Sequence, residues 1–378
     1  MTSVESSLPA TQGGSWASKL RWPATMFLFA VLPAAIVASL FVEAVRDEAV
    51  AYDFRVFYAA AEAVLRGDTP YPPLDDPGTV FGRSYVYPPL TAFAVVPLTV
   101  LPEAVAGVLV MLGLTVAVLA IPWVLGVQDW RCYGVLLLWP PVLSAIQTGT
   151  VTILLALGAA LAWRYRDRAV AASFSVGLTL AVKTILWPLV VWLAATRRVG
   201  TALASCAVGI AAVVLPWATI GFAGFTGYPD LLRHLEDAVG DDSYTAYIVL
   251  LDAGAPSEIA RAAWLGVGVV LLAAVVVTGR RGDERSAFVL AVAAALALTP
   301  IVWLHYFALL AVVVALATPR LGIAWFVPIA MVLTPGSGHP SPFETSWTLA
   351  VAAVTIALSL RATTVAVVAS KRRAEASA

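Results

Sequence analysis

Hydrophobic positions come in long runs from Pro23 to the C-terminal third of the chain. They are broken by short polar clusters such as Arg164-Tyr165-Arg166-Asp167-Arg168, Arg197-Arg198, Arg280-Arg281-Gly282-Asp283-Glu284-Arg285 and Lys371-Arg372-Arg373. Each run holds one or two helical crossings, since a crossing needs about 20 apolar residues and lipid satisfies no backbone polar group. The basic clusters belong on one side, the cytoplasmic one, because Lys and Arg collect there. That requirement fixes parity. A single crossing between Arg168 and Arg197 would separate two Arg clusters, so the chain must turn near Lys183. Cys132 to Trp163 turns in the same way at Gln147-Thr148-Gly149-Thr150, and Ser286 to Thr318 around Pro300 to His305. The arms are about 12 to 18 residues long, too short to cross fully at 1.5 Å per residue, and broken helices are tolerated only where protein encloses them.

The expected architecture is an all-α membrane protein, a polytopic bundle of about 12 spans with both termini inside. The crossings fall at 23–45, 88–126 (one net crossing plus a re-entrant or surface piece), 132–146, 150–163, 169–182, 184–195, 199–220, 263–279, 286–302, 306–319, 321–334 and 345–366. Residues 1–22 form a cytoplasmic tail, 23–366 the membrane domain, and 367–378 a basic cytoplasmic tail. Outer loops span 46–86 and 222–262. In the first of these, Phe54, Phe57, Tyr58, Ala61, Val64 and Leu65 follow the helical period and Glu62 can pair with Arg66, which predicts an amphipathic helix on the membrane surface.

Composition agrees with this pattern: 61% of the 378 residues are hydrophobic and 12% charged, far from a soluble domain. The 23 basic and 23 acidic residues cancel, which gives no footprint for nucleic acid. Cys132 and Cys206 lie in apolar runs, so neither a disulfide framework nor a cysteine metal site is expected. The first apolar run is too long for a cleaved signal core and reads as a retained anchor.

Candidate chemistry gathers at the predicted outer turns. Asp53 stands at the start of the surface helix, where a carboxylate could cap the helix or take the proton of an attacking hydroxyl, roles that can coexist. Lys183 would cost about 2.5–3.5 kcal/mol at a bilayer centre, so it needs an anionic partner or water; it either binds a phosphate or snorkels. His305, between Trp303 and Tyr306, could bind sugar or phosphate, while an aromatic belt explains the Trp and Tyr equally well. Arg55, Arg66 and Arg83 crowd the first loop against the usual charge bias; Glu62 offers Arg66 a partner, and the others could grip phosphate oxygens. Tyr228, Arg233, His234, Glu236, Asp237, Asp241 and Asp242 form a polar patch in the second loop that either binds an acceptor or is solvated. Asp75-Asp76 and Asp241-Asp242 fit no calcium-loop pattern, and no metal is expected.

The series Tyr52-Asp53-Phe54 to Tyr58, then Leu65-Arg66-Gly67-Asp68-Thr69-Pro70-Tyr71, Tyr85-Val86-Tyr87-Pro88-Pro89-Leu90 and Pro97-Leu98 resembles the opening of glycosyltransferase family 87. Further along, Gly177 to Lys183 with Pro188, and Pro300 to His305, continue the likeness over roughly residues 50 to 310. Gln147-Thr148-Gly149-Thr150 departs from the family's Gly-Gln-x-Asn. The resemblance implies the multi-span C-type glycosyltransferase fold and a polyprenyl-phosphate-mannose-dependent mannosyltransferase. It makes Asp53 the expected base.

On this reading a sugar, mannose by resemblance, passes with inversion from a polyprenyl-phosphate donor to a glycolipid or glycan acceptor at the outer face of the cell membrane. Lys183, Arg55, Arg83 and His305 are candidates for the donor phosphate. Tyr58, Gln147, Trp303, Tyr228 and His234 are candidates for sugar or acceptor. No cofactor is implied. The alternatives are a transporter or lipid flippase, against which stands the lack of a visible repeat of interrupted helices, and a membrane scaffold, which leaves Lys183 unexplained.

Overall fold

A computed structural model describes residues 22–46, 51–73, 84–334 and 340–377, and every described element is a helix or a connection between helices. Five helices are long and apolar enough to cross a membrane: α1 (Trp22–Arg46), α4 (Glu103–Val124), α10 (Val199–Thr219), α13 (Ser257–Arg280) and the Pro342–Thr364 part of the C-terminal helix α17 (Pro342–Ser377). A sixth candidate is a pair, α6 (Pro140–Thr148) and α7 (Thr152–Arg164), bent by 117° at the predicted Gln147–Thr150 turn.

Shorter helices fill the bundle. They are α2 (Tyr52–Arg66), α3 (Leu90–Val100), α5 (Trp130–Leu136), α8 (Ala169–Val182), α9 (Thr184–Ala195), α11 (Tyr228–Val239), α12 (Ala246–Asp252), α14 (Glu284–Leu298), α15 (Leu304–Ala317) and α16 (Ile323–Leu333). Between residues 88 and 126 only α4 is long enough to cross, with α3 as the short piece before it. The expected 132–146 arm is instead two helices, α5 and α6, because Trp139-Pro140-Pro141 cannot continue a helix begun at Trp130.

Burial divides the helices into inner and outer sets. Ser286 to Leu296 of α14 and Leu304 to Leu316 of α15 are buried on all sides, so these two form the centre. Leu203, Ile210 and Leu215 of α10 and Val269 and Val270 of α13 expose large apolar side chains, as a lipid-facing wall does. Small residues let neighbouring helices close up. A Cβ on Gly177 of α8 would lie 2.7 Å from the Ser205 carbonyl oxygen of α10.

The predicted parity has a direct physical correlate. Glu284 accepts from Arg166 at 3.1 Å and from Arg198 at 2.8 Å, and Arg198 also binds Asp167 at 2.6 Å. Three clusters separated in sequence therefore meet at one end of the bundle. From that end α7, α8, α9 and α14 lead to the opposite one. Helices of 13, 14 and 15 residues, as in α7, α8 and α14, are about 20–22 Å long, against about 32–37 Å for the long crossings. The far ends of the short helices are thus recessed within the bundle.

Candidate active site

Asp53 lies in the first turn of α2, whose N-cap is Ala51, held at φ 45° with no side-chain capping bond. The expected N-cap role for Asp53 is therefore not found: the helix starts two residues earlier than a cap at 53 would require. Phe54, Phe57, Tyr58 and Ala61 are buried as the period predicts, Val64 is half-buried, and Leu65 is exposed. Arg66 pairs with Glu62 at 4.0 Å and with Asp68 at 3.2 Å.

The turn after α6 abuts the start of α2. Gly149 has φ 74°, and a Cβ there would lie 2.7 Å from the Ala51 Cβ and 3.0 Å from that of Phe54. Only glycine satisfies both the left-handed backbone and this close approach. The contact brings the Thr148 hydroxyl beside the Asp53 carboxylate, although it completes no hydrogen bond of ordinary geometry. Burial raises the Asp53 carboxyl from 3.8 to about 6, and the Lys183 ammonium partly opposes that rise.

Lys183 ends α8 in an extended conformation, its N–H still bonded to the Thr179 carbonyl at 2.9 Å. Its Nζ donates to the phenol oxygens of Tyr87, at 3.3 Å, and Tyr306. It also stands 5.0 Å and 4.3 Å from the two ring centroids. The two phenol hydrogen bonds offset part of the cost of the buried ammonium. Among the described residues Lys183 forms no ion pair, and Asp53 acts on it through space.

The loop carrying Tyr87 is held by other phenols. Residues 84–89 lack regular structure, so their carbonyls need outside partners. Tyr228 donates to the Val86 carbonyl at 2.8 Å, Tyr71 to that of Tyr87 at 2.9 Å, and Tyr85 to that of Pro88 at 2.6 Å. Trp217 stacks on Tyr71 at 5.0 Å, and Phe57 meets the Tyr87 ring edge-on at 4.8 Å. The segment carrying Tyr306 is held similarly. Val302 donates to Ser243 Oγ at 2.8 Å and Tyr244 N–H to the Val302 carbonyl at 2.8 Å. His305 is buried, its ring 4.9 Å from that of Tyr306, and it feels the Lys183 charge.

Asp53, Lys183 and His305 therefore come together as expected, joined by Thr148, Tyr87 and Tyr306. Tyr87 lies inside the Tyr85 to Leu90 motif and Tyr306 directly follows that of Pro300 to His305; neither stands out in the sequence, because a tyrosine beside prolines or in an aromatic run reads as packing. Their hydroxyls acquire meaning only once the α8 turn delivers an ammonium between them.

The other candidates have different surroundings. Arg55 is ion-paired to Glu103 at 3.1 Å, and Tyr58 donates to the Leu101 carbonyl at 2.7 Å, so both tie α2 to the start of α4. Tyr228 clasps the two loops. His234 is on α11, its Nε2 buried without a hydrogen-bond partner. Gln147 is exposed at the end of α6, and Trp303 is half-buried just before α15. Arg83 and Asp75-Asp76 lie outside the described residues, as does the side chain of Asp241. Among the described residues no three His, Cys, Asp or Glu side chains gather as a metal site requires.

The family model described as glycosyltransferase family 87 matches residues 85–299, more than half of the chain. The matched segment includes Tyr87, Thr148 and Lys183; Asp53 precedes it and His305 follows it. No curated protein and no solved structure matches.

Proposed function

This chain belongs to glycosyltransferase family 87 and is a membrane glycosyltransferase, and we propose that it transfers a sugar, mannose by family resemblance, from a polyprenyl-phosphate carrier to a glycolipid or glycan hydroxyl. The acceptor oxygen attacks the anomeric carbon as the bond from that carbon to the phosphate oxygen breaks. The bonding electrons leave with polyprenyl phosphate, and the acceptor proton passes to Asp53. A single displacement of this kind inverts the anomeric centre.

The observation that carries the reading is the pairing of functions without a direct bond. A carboxylate and an ammonium sit in one recessed group, coupled through space but not joined as an ion pair. A mutual salt bridge would occupy both. Held apart, the carboxylate is free to accept a proton and the ammonium to meet developing phosphate charge, the electrostatic half of catalysis. His305, beside Lys183, is the second donor-side candidate. Outer-face action is supported by the gathered arginines at the opposite end of α7, α8 and α14, since such clusters mark the cytoplasmic side. The remaining short helices complete the roughly twelve-segment bundle of this reading, and α2 lies along its outer surface.

The test is the purified full chain in lipid nanodiscs with polyprenyl-phosphate-mannose and a membrane glycolipid acceptor, comparing wild type with Asp53→Asn. Transfer by wild type, lost in the variant, is expected. Equal transfer by both proteins removes Asp53 from the base role, and no transfer by wild type removes this donor.

A further inference from the structure

Lys183 directs two of its three N–H groups to phenol oxygens. A phenol that accepts in this way still owns its O–H proton. Among the described residues neither Tyr87 nor Tyr306 donates that proton to a protein acceptor, although most phenols around them do: Tyr58, Tyr71, Tyr85 and Tyr228 each donate to a backbone carbonyl. Tyr87 and Tyr306 are thus set apart from the structural phenols by their partner, a cation, and by their unused donors.

We propose that Tyr87 and Tyr306, with Lys183, form a three-donor cradle for the phosphate of the lipid carrier, each phenol O–H and the third ammonium N–H binding one phosphate oxygen. The proposal rests on the phosphate-carrier reading above and adds to it the two residues that complete the subsite. The geometry supports it in three ways. Lys183 points both phenols, because a hydroxyl whose lone pair is taken by an ammonium must turn its proton away from that ammonium. The backbone that carries Tyr87 is fixed by the Tyr71 and Tyr228 hydroxyls, and that before Tyr306 by Ser243 and Tyr244, so both phenols are preorganised. Asp53 acts electrostatically on both phenols and on Lys183, so the cradle and the proposed base belong to one site.

Neutral phenols also suit a leaving phosphate better than further cations would. They donate hydrogen bonds without adding positive charge that would have to be shed before the carrier could leave. Lys183 remains the only cation among the three donors.

The experiment measures binding of farnesyl phosphate, a short carrier analogue, and farnesol, which has the same chain without phosphate, to the full-length protein in nanodiscs. Wild type is expected to bind farnesyl phosphate more tightly than farnesol. Tyr87→Phe and Tyr306→Phe should each lose about tenfold or more of that preference, the size of a hydrogen bond to a charged group, with farnesol binding unchanged. Tyr133→Phe, whose hydroxyl serves the Val127 carbonyl, should keep the full preference. In turnover, donor KM should rise in both cradle variants while acceptor KM stays constant. If both variants retain the preference, the cradle is wrong and the carrier reading stands. If wild type shows no preference at all, the carrier reading falls and takes the cradle with it. Loss of farnesol binding together with phosphate binding would show a damaged lipid groove instead, and would equally overturn the cradle.

Discussion

Asp53 and Lys183 are coupled electrostatically without forming an ion pair. Lys183 satisfies itself on Tyr87 and Tyr306, and the Asp53 carboxyl is pushed up to about 6 by burial. The raised carboxyl puts the proposed base near physiological pH.

The pH dependence follows with a definite sign. A base must be ionised, so turnover should rise with pH along a single-proton limb centred near 6, with about a tenth of full activity one unit below that midpoint. Lys183 lowers the Asp53 value, so its removal in Lys183→Met should move the limb to higher pH as well as weaken donor binding. A limb that stays in place would show that another group sets it.

Asp53 should also oppose stability. Its folded value lies above its unfolded value of 3.8, so the native state holds the proton more tightly between those values. Any stabilisation from the protonated form is complete below about 4 and lost as pH rises through about 6. Asp53→Asn should therefore raise the midpoint of thermal unfolding at pH 7 by an amount corresponding to about 1–3 kcal/mol, while lowering turnover by about a hundredfold or more. The stability gain should vanish below about pH 4.

Gly149 tests the positioning of the base. Alanine there must adopt φ near 74° and press its Cβ to 2.7 Å from that of Ala51. The strain is about 1–3 kcal/mol, and the simplest relief moves the start of α2, hence Asp53. Gly149→Ala is expected to lower kcat more than it changes donor KM. Unaltered kcat in a folded variant would mean that this contact does not set the carboxylate position.

The short-helix framework was legible in the sequence because charge imposed it: three Arg-rich clusters could share a side only if the chain turned at Lys183, near Gly149 and before His305. The same reasoning brought Asp53, Lys183 and His305 together. It could not reveal that Arg55 would find Glu103, or that Tyr58 would serve the Leu101 carbonyl, since those partners depend on where α4 begins against α2. Nor could it separate Tyr87 and Tyr306 from the surrounding aromatics. Hydrophobic pattern reports which face is buried, not which hydroxyl keeps a spare proton.

Glu284 tests the opposite end. It binds Arg166 and Arg198 from two other connections, and all three side chains are half-buried. Glu284→Ala leaves the two guanidinium groups with only the more exposed Asp167 as an acidic partner. Thermal or denaturant unfolding should register a loss of about 1–3 kcal/mol. Because the network lies about 20 Å from Asp53 along α7, kcat per folded molecule should be unchanged. A selective loss of kcat would indicate that the two ends are coupled.

The sidedness on which the outer-face assignment rests can be read by cysteine labelling. The background is small, since Cys132 is buried and Cys206 half-buried, and both can be replaced by Ser or Ala. Single cysteines at Asp68 and Asp230, both exposed near the base end, should react with a membrane-impermeant maleimide added to intact cells. Cysteines at Arg168 and Arg281, at the end where Glu284 gathers the arginines, should react only after permeabilisation. The electrostatic argument admits no mixed result, because Arg168 and Arg281 adjoin a single ion network while α7, α8 and α14 separate that network from Asp53. If position 68 labels only after permeabilisation, Asp53 cannot face an acceptor outside the cell, and the direction of transfer would have to be reversed.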